Sequence, residues 1–209
     1  PAEKNPIITN VTLESNPGDI TVITGFNGSG NTTLIKILAN IIEPSRGKIL
    51  IDDIDIGQLS SNWYRSQIAY SPQEPQFIDG TLGENIVGAT KIEHTQLQQI
   101  MKTVDLLNYV NSHEKGINMQ LDNRGEDMPL GIRKRIGHAR SLINDAKLIL
   151  FDEPTEGLDK LGKDAMYDLL KHFKSKNKTI FVASNDQSII DISDKCLDLN
   201  EGLVTKEIK

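Results

Sequence analysis

Residues 25–33, Gly-Phe-Asn-Gly-Ser-Gly-Asn-Thr-Thr, join two segments of opposite character. Before them the β-branched run 20–24 reads as a strand, and from Thr32 the run TTLIKILANI reads as a helix that Pro44 and the turn Ser45-Arg46-Gly47 bring to an end. A strand that passes through glycines directly into a helix is a unit of layered α/β architecture. The rest of the chain repeats the alternation. Strands are expected at 7–13, 48–52, 68–70, 148–151 and 179–184. Helices are expected near 60–66, on a stripe of Ile132, Ile136, Ala139 and Ile143, and on a stripe of Met166, Leu169, Leu170 and Phe173. Asn16-Pro17-Gly18 and Asn200-Glu201-Gly202 read as turns.

Between about 75 and 140 strand signals fade, and Leu97, Ile100, Met101, Val104 and Leu107 fall on one helical face. The expectation is an α/β fold with a mainly parallel sheet plus antiparallel β strands, and an inserted α-helical subdomain. In domain terms residues 1–209 form one domain, with about 1–74 and 141–209 as its core and about 75–140 as the insertion.

The glycine loop has the frame G-x-x-x-x-G-K-[ST], with Asn31 in the lysine slot. Such a loop works by geometry: Gly25, Gly28 and Gly30 let backbone N–H groups converge on phosphates, and the following helix aims its positive end at them. Asn27, Asn31, Thr32 and Thr33 complete the candidate nucleotide-binding set, with Thr32 positioned to offer a hydroxyl to Mg²⁺. The run LILFDE supplies a second half. Its apolar residues suit a buried strand ending in Asp152, a candidate metal ligand, and Glu153, a candidate to polarise an attacking water.

Composition narrows the classes. Of 209 residues 37% are apolar and 25% charged, ordinary values for a globular domain, and they argue against a disordered chain. The longest apolar run, Leu148 to Phe151, falls far short of the roughly 20 residues that cross a bilayer. Net charge is −6, without a basic cluster interleaved with aromatics, so nucleic acid is not an expected partner. The single cysteine, Cys196, has no internal disulfide partner and reads as a buried thiol in a reducing compartment.

GFNGSGNTT, SPQEPQF, DEPTEGLD and FVASND, in that order, resemble the nucleotide-binding domain of ATP-binding cassette (ABC) transporters over almost the whole chain. GTLGENI at 80–86 and LDNRG at 121–125 resemble the exporter branch, including type I secretion ATPases. The resemblance implies that residues 1–209 form one nucleotide-binding domain with a P-loop NTPase core, and it implies ATP and Mg²⁺ as cofactors, with Gln73 joining Thr32 and Asp152 at the metal. It also implies that Glu153, Gln73 and the residue at 185 take part in hydrolysis. Its expected partners are a second nucleotide-binding domain, in a homo- or heterodimer, and an exporter's transmembrane domain. The expected location is the cytoplasmic face of the inner (plasma) membrane, and the chain reads as a domain of a longer exporter.

Departures from the family pattern are concentrated at the charged and hydrogen-bonding positions. Asn31 replaces the lysine; Pro129 and Leu130 replace a serine and a glycine of the signature, in MPLGI; Asn185 aligns with the switch histidine. His94, His113, His138 and His172 read as solvated or helix-surface residues that offer no substitute. No aromatic residue lies between Pro1 and Phe26, so the family's adenine-stacking aromatic either lies upstream of Pro1 or is missing from this copy. An amide in place of an ammonium forfeits a charge-assisted contact of roughly 1.5–3 kcal/mol, or roughly 10- to 150-fold in affinity. The leading expectation is an exporter nucleotide-binding domain with impaired hydrolysis. The alternatives are a non-catalytic partner of a competent ATPase and a soluble ABC protein acting on ribosome or DNA. The transported substrate is not encoded in this stretch.

Overall fold

The computed structural model describes residues 6–200 and 203–208, without the side chains of 203–208. In chain order the elements are β1 (Ile20–Gly25), α1 (Asn31–Leu38), β2 (Leu50–Ile51), β3 (Ile54–Asp55), α2 (Ser61–Ser66), β4 (Ile68–Ser71), β5 (Gly80–Thr81), α3 (Leu82–Val87), α4 (His94–Thr103) and α5 (Leu107–Asn111). They continue with β6 (Gln120–Leu121), α6 (Leu130–Ser141), β7 (Leu148–Asp152), α7 (Lys160–Ser175), β8 (Thr179–Ala183), α8 (Gln187–Ile192), β9 (Lys195–Asn200) and β10 (Leu203–Ile208). The chain divides into two units. One comprises Pro1–Tyr70, Ala146–Glu153 and Phe173–Lys209; the other comprises Ser71–Asp145 and Pro154–His172.

The first unit is built on a six-stranded sheet in the order β10-β9-β1-β8-β7-β4. β1 lies between β8 and β9 and runs parallel to both, and β7 runs parallel to β8. Strands covered on both faces need no polar alternation. That is why LILFD and TIFVA read as continuous runs, each buried from its second residue on. Leu34, Ile35 and Leu38 of α1 pack with Ile23, Leu150, Phe181, Ala183 and Leu199, so the helix that follows the glycine loop is seated on the sheet. β10 pairs antiparallel with β9. The turn expected at Asn200-Glu201-Gly202 lies mostly outside the described residues, but these two strands flank it.

Two strand expectations are corrected. Residues 7–13 form no strand beyond an isolated bridge at Thr9. Ile8, Val11 and Leu13 instead pack against the core while their backbone remains outside the sheet, and their spacing reflects burial without pairing. The strand expected at 48–52 is half of a small hairpin, β2 with β3, turned at Asp52 (φ 47°) and Asp53 (φ 65°). Two successive positive φ values are what a tight hairpin turn with matching twist requires.

In the second unit α3 starts with a capping box. Thr81 Oγ1 accepts from the Glu84 N–H at 3.1 Å, and the Thr81 N–H donates to Glu84 Oε2 at 2.7 Å. The face expected at 97–107 is shifted at its end. Asp105 (φ 54°) breaks the run after α4, so Leu106 is fully buried and Leu107 only half-buried. α6 carries the expected stripe, with Ile132, Ile136 and Ala139 buried, and it also buries Lys134, Arg135 and His138. His138, expected at the surface, is only 2% exposed, whereas His94 and His172 are exposed and His113 is half-buried. Among the described residues no helix is long and apolar enough to cross a membrane.

Candidate phosphate-binding site

β1 ends at Gly25, and the chain closes a tight turn in which the Ser29 N–H donates to the Phe26 carbonyl at 2.9 Å. Gly30, at φ 105°, is the N-cap of α1, with no side chain capping the helix. Its backbone geometry favours glycine, and a Cβ there would stand 2.7 Å from Ile8 Cγ1. A Cβ on Gly25 would stand 2.4 Å from both the Leu199 carbonyl oxygen and Ser29 Oγ. At Gly28, φ 91°, a Cβ would meet nothing within 4 Å, so glycine is needed there for conformation alone. Phe26, Asn27 and Gly28 are exposed while Ser29 and Gly30 are buried, giving an exposed tip on a buried base. The unpaired N–H groups of the first turn of α1 make this end electropositive.

Thr32, the second residue of α1, donates its hydroxyl to Asp152 Oδ1 at 3.1 Å. Asp152 closes β7 and is 2% exposed. A hydroxyl beside a carboxylate is a hard oxygen pair of the kind Mg²⁺ accepts when phosphates and water supply its other ligands. Tyr70 bears on the same place. Its hydroxyl is buried without a hydrogen-bond partner, and its pKa is raised to about 12, first by burial and then by the Asp152 charge. A buried orphan hydroxyl beside a carboxylate fits a site that hydrated metal completes. Thr33 is half-buried in the same turn.

Glu153 follows at once, half-buried, with its N–H donating to the Ala183 carbonyl at 2.8 Å. Its φ of 45° puts a non-glycine residue in the left-handed region, a conformation that costs of order 1–3 kcal/mol and clusters at functional sites. Asn185, beyond β8, is exposed; its Nδ2 donates to the Gly25 carbonyl at 3.0 Å, and its Oδ1 accepts from the Gly25 N–H at 3.2 Å. Asn31 is bent back over the loop: its Oδ1 accepts from Ser29 Oγ at 3.1 Å and its Nδ2 lies 3.5 Å from the Gly25 carbonyl. Thus Gly25, Asn31, Thr32, Asp152 and Asn185 are brought together within the first unit.

Gln73 belongs to the second unit, where its Nε2 donates to Glu156 Oε2 at 3.0 Å. The same oxygen lies 3.8 Å from Nζ of Lys134, whose side chain is 1% exposed. At the signature, Pro129 is the N-cap of α6 and not a first-turn residue, and no side chain caps the helix. Leu130 packs on Gly157, where a Cβ would stand 3.0 Å from Leu130 Cδ2; a Cβ on Gly131 would stand 2.7 Å from the Gly157 carbonyl oxygen. In LDNRG two successive exposed residues, Asn123 (φ 48°) and Arg124 (φ 52°), are left-handed, and the following Gly125 is pressed against Phe77. Sequence reasoning missed Asn85, Phe77 and Arg140, which brace the segment after Gln73. The available signal was a polar residue, Asn85, on the apolar face of Leu82 and Ile86.

The ABC transporter family model matches residues 8–156. The chain is 29% identical over 203 residues to the lactococcin-G-processing and transport ATP-binding protein LagD of Lactococcus lactis subsp. lactis, covering 96% of this chain and 29% of that protein. It is 30% identical over 210 residues to the glutathione/L-cysteine transport system ATP-binding/permease protein CydC of Haemophilus influenzae, covering 99% and 36%. A bacterial Atm1-family ABC exporter with ATP bound superposes with a TM-score of 0.87 at 25% identity, over 96% of this chain and 35% of that one. The chain thus spans about a third of the length of these relatives. With its glycine loop between β1 and α1 and its Thr32–Asp152 pair joining α1 to the end of β7, the chain belongs to the ABC transporter family.

Proposed function

We propose that this chain is the nucleotide-binding domain of an ABC exporter, holding Mg-ATP at residues 25–33 and hydrolysing it weakly. The observation that carries the reading is the 3.1 Å contact between Thr32 and Asp152 at the base of a glycine loop in which Gly25 and Gly30 leave no room for a Cβ. The backbone of Gly28, Gly30, Asn31, Thr32 and Thr33 takes the phosphates, Asn27 flanks them, and Thr32, Asp152 and Gln73 serve the metal. Bound Mg²⁺ supplies charge neutralisation between the phosphates. Glu153 is the group that polarises water, and Gln73 senses the nucleotide. The first unit acts as the nucleotide core and the second as the helical subdomain. The domain works against a second nucleotide-binding domain and a transmembrane domain, at the cytoplasmic face of the membrane.

Weak hydrolysis follows from what the site lacks. Phosphoryl transfer depends on positioning and charge stabilisation, and Asn31, Pro129 and Asn185 bring no cation or signature hydroxyl. The rate penalty is ~10³-fold or more for a loss of several kcal/mol. A second reading, a non-catalytic partner of a competent ATPase, is favoured by the signature helix. Pro129 and Leu130 give α6 a start with neither a side-chain donor nor a bare backbone. Steady-state phosphate release by the chain and by Glu153→Gln separates the two. Slow turnover that disappears in Glu153→Gln supports an impaired enzyme, and none in either supports the partner reading. Brisk, Glu153-dependent turnover refutes the impaired site.

A further inference from the structure

Asn31 and Asn185 both turn their amides onto Gly25, and this has a consequence for which nucleotide the loop retains. The Gly25 peptide is gripped from both sides by Asn185, through bonds of 3.0 and 3.2 Å, while Asn31 lies 3.5 Å from the same carbonyl and accepts from Ser29 at 3.1 Å. A carbonyl oxygen has two lone pairs, and here each has an amide donor. The network is neutral and closed on the loop itself. In a loop of this kind the backbone N–H groups cradle the first two phosphates, and the side chain in the lysine slot spans the second and third, which makes it the group of the loop that extends to the third. The backbone groups are all present here. The long cationic arm is replaced by a short amide already engaged with Ser29 and Gly25, and Asn185 would have to release Gly25 before it could reach any ligand.

We propose that this cradle holds nucleoside diphosphates as readily as triphosphates, its selectivity ending at the second phosphate. The inference rests on the reading of residues 25–33 as a nucleotide site. Gly25 is the fixed point: Asn185 anchors the end of β1 to the end of β8 and acts on the ligand through the loop it holds, as a positioning residue. A site with this preference retains the product of hydrolysis as firmly as the substrate, and so favours a static nucleotide over turnover.

The test is calorimetric titration of the 209-residue chain with Mg-ADP and with Mg-ATP, repeated on Asn31→Lys and Asn185→Ala. The expected result is an affinity ratio within about threefold for the chain, because residues 25–33 hold no cationic side chain whose charge-assisted contact, worth about 10- to 150-fold, would distinguish the third phosphate. Asn31→Lys raises the preference for Mg-ATP by about tenfold or more. Asn185→Ala loosens the loop and weakens both nucleotides by the same factor. A preference for Mg-ATP of about tenfold or more in the unaltered chain overturns the inference and leaves the nucleotide reading standing. So does selective loss of Mg-ATP binding in Asn185→Ala, which would show the amide reaching the third phosphate. Failure of the chain and of Asn31→Lys to bind either nucleotide overturns the inference together with the reading beneath it.

Discussion

Arg140 and Asn85 are joined twice: the guanidinium donates through Nε to the Asn85 carbonyl and through Nη2 to Asn85 Oδ1 at 3.1 Å. Asn85 passes the connection on, accepting from the Ile78 N–H at 2.9 Å and donating to the Ile78 and Thr81 carbonyls at 3.0 Å each. Arg140 also donates to the Gln76 carbonyl at 2.8 Å and lies 4.7 Å from the centre of the Phe77 ring. One buried amide and one fork of donors therefore satisfy the backbone of the segment that follows Gln73. Removing Asn85 takes away the side-chain partner of the part-buried Ile78 N–H and of the Ile78 and Thr81 carbonyls, and losing such bonds costs about 1 kcal/mol each at most where water can reach them. Asn85→Ala is expected to lower the urea midpoint with an unchanged slope. Arg140→Lys, which keeps a charge but loses the fork, is expected to destabilise in the same direction. A midpoint within error of the parent in both variants would show that water replaces these bonds.

Restoring the family's glycine at position 130 is expected to weaken the domain. Leu130 is half-buried and packs against Gly157, so Leu130→Gly removes apolar contact and places a second glycine beside Gly131 in the first turn of α6. Glycine in a helix costs roughly 1 kcal/mol relative to alanine, before the lost packing is counted. Thermal unfolding of Leu130→Gly and Leu130→Ala separates the contributions, with glycine the less stable of the two. Equal stability would place Leu130 outside the helix's cooperative unit.

What was legible in the sequence was the chemistry that is local along the chain. Gly25, Gly28 and Gly30 announce a backbone-lined loop because only glycine tolerates the φ values or the close approaches found there. LILFD announces a buried parallel strand because both its faces are covered. The orientation of side chains was not legible. Asn185 lies 160 residues from Gly25, and nothing at either position in the sequence signals that the amide closes on that glycine. Residues 7–13 show why alternation misleads: Ile8, Val11 and Leu13 are partly buried by packing, with no strand to pair them. His138 was misplaced because a histidine among Lys134, Arg135 and Arg140 looks solvated until α6 is seen to be buried on nearly every side.

Thr32 and Asp152 make metal dependence a sharp test of the proposed site. If both face the metal, Thr32→Val removes one oxygen ligand and the hydrogen bond to Asp152 while keeping the shape of the side chain. Nucleotide binding by Thr32→Val is then expected to respond less to added Mg²⁺, whereas binding in excess chelator stays close to that of the parent. Calorimetric titration with ATP in chelator and in Mg²⁺ gives the two affinities. An equal loss under both conditions would assign Thr32 to the phosphates or to the loop, away from the metal.

His138 predicts a specific sensitivity to acid. Its pKa is lowered to about 3, first by burial and then by the positive charges of Lys134 and Arg135 on the same helix. Above that value the folded protein keeps the imidazole neutral, while the unfolded chain takes up a proton near the ordinary histidine pKa of about 6.5. Between the two values the unfolded state binds more protons, so stability from this group is complete above pH 6.5 and is lost as pH falls toward 3, by up to ~1.4 kcal/mol per pH unit. The ordinary carboxylate range near pH 4 lies below the interval from pH 6.5 to 5, which makes that interval the diagnostic one. Urea unfolding across it should show stability falling with acid in the parent and a flatter profile in His138→Gln, even where the variant is less stable overall. Parallel profiles would mean that the imidazole is charged within the fold, and that α6 opens to admit its proton.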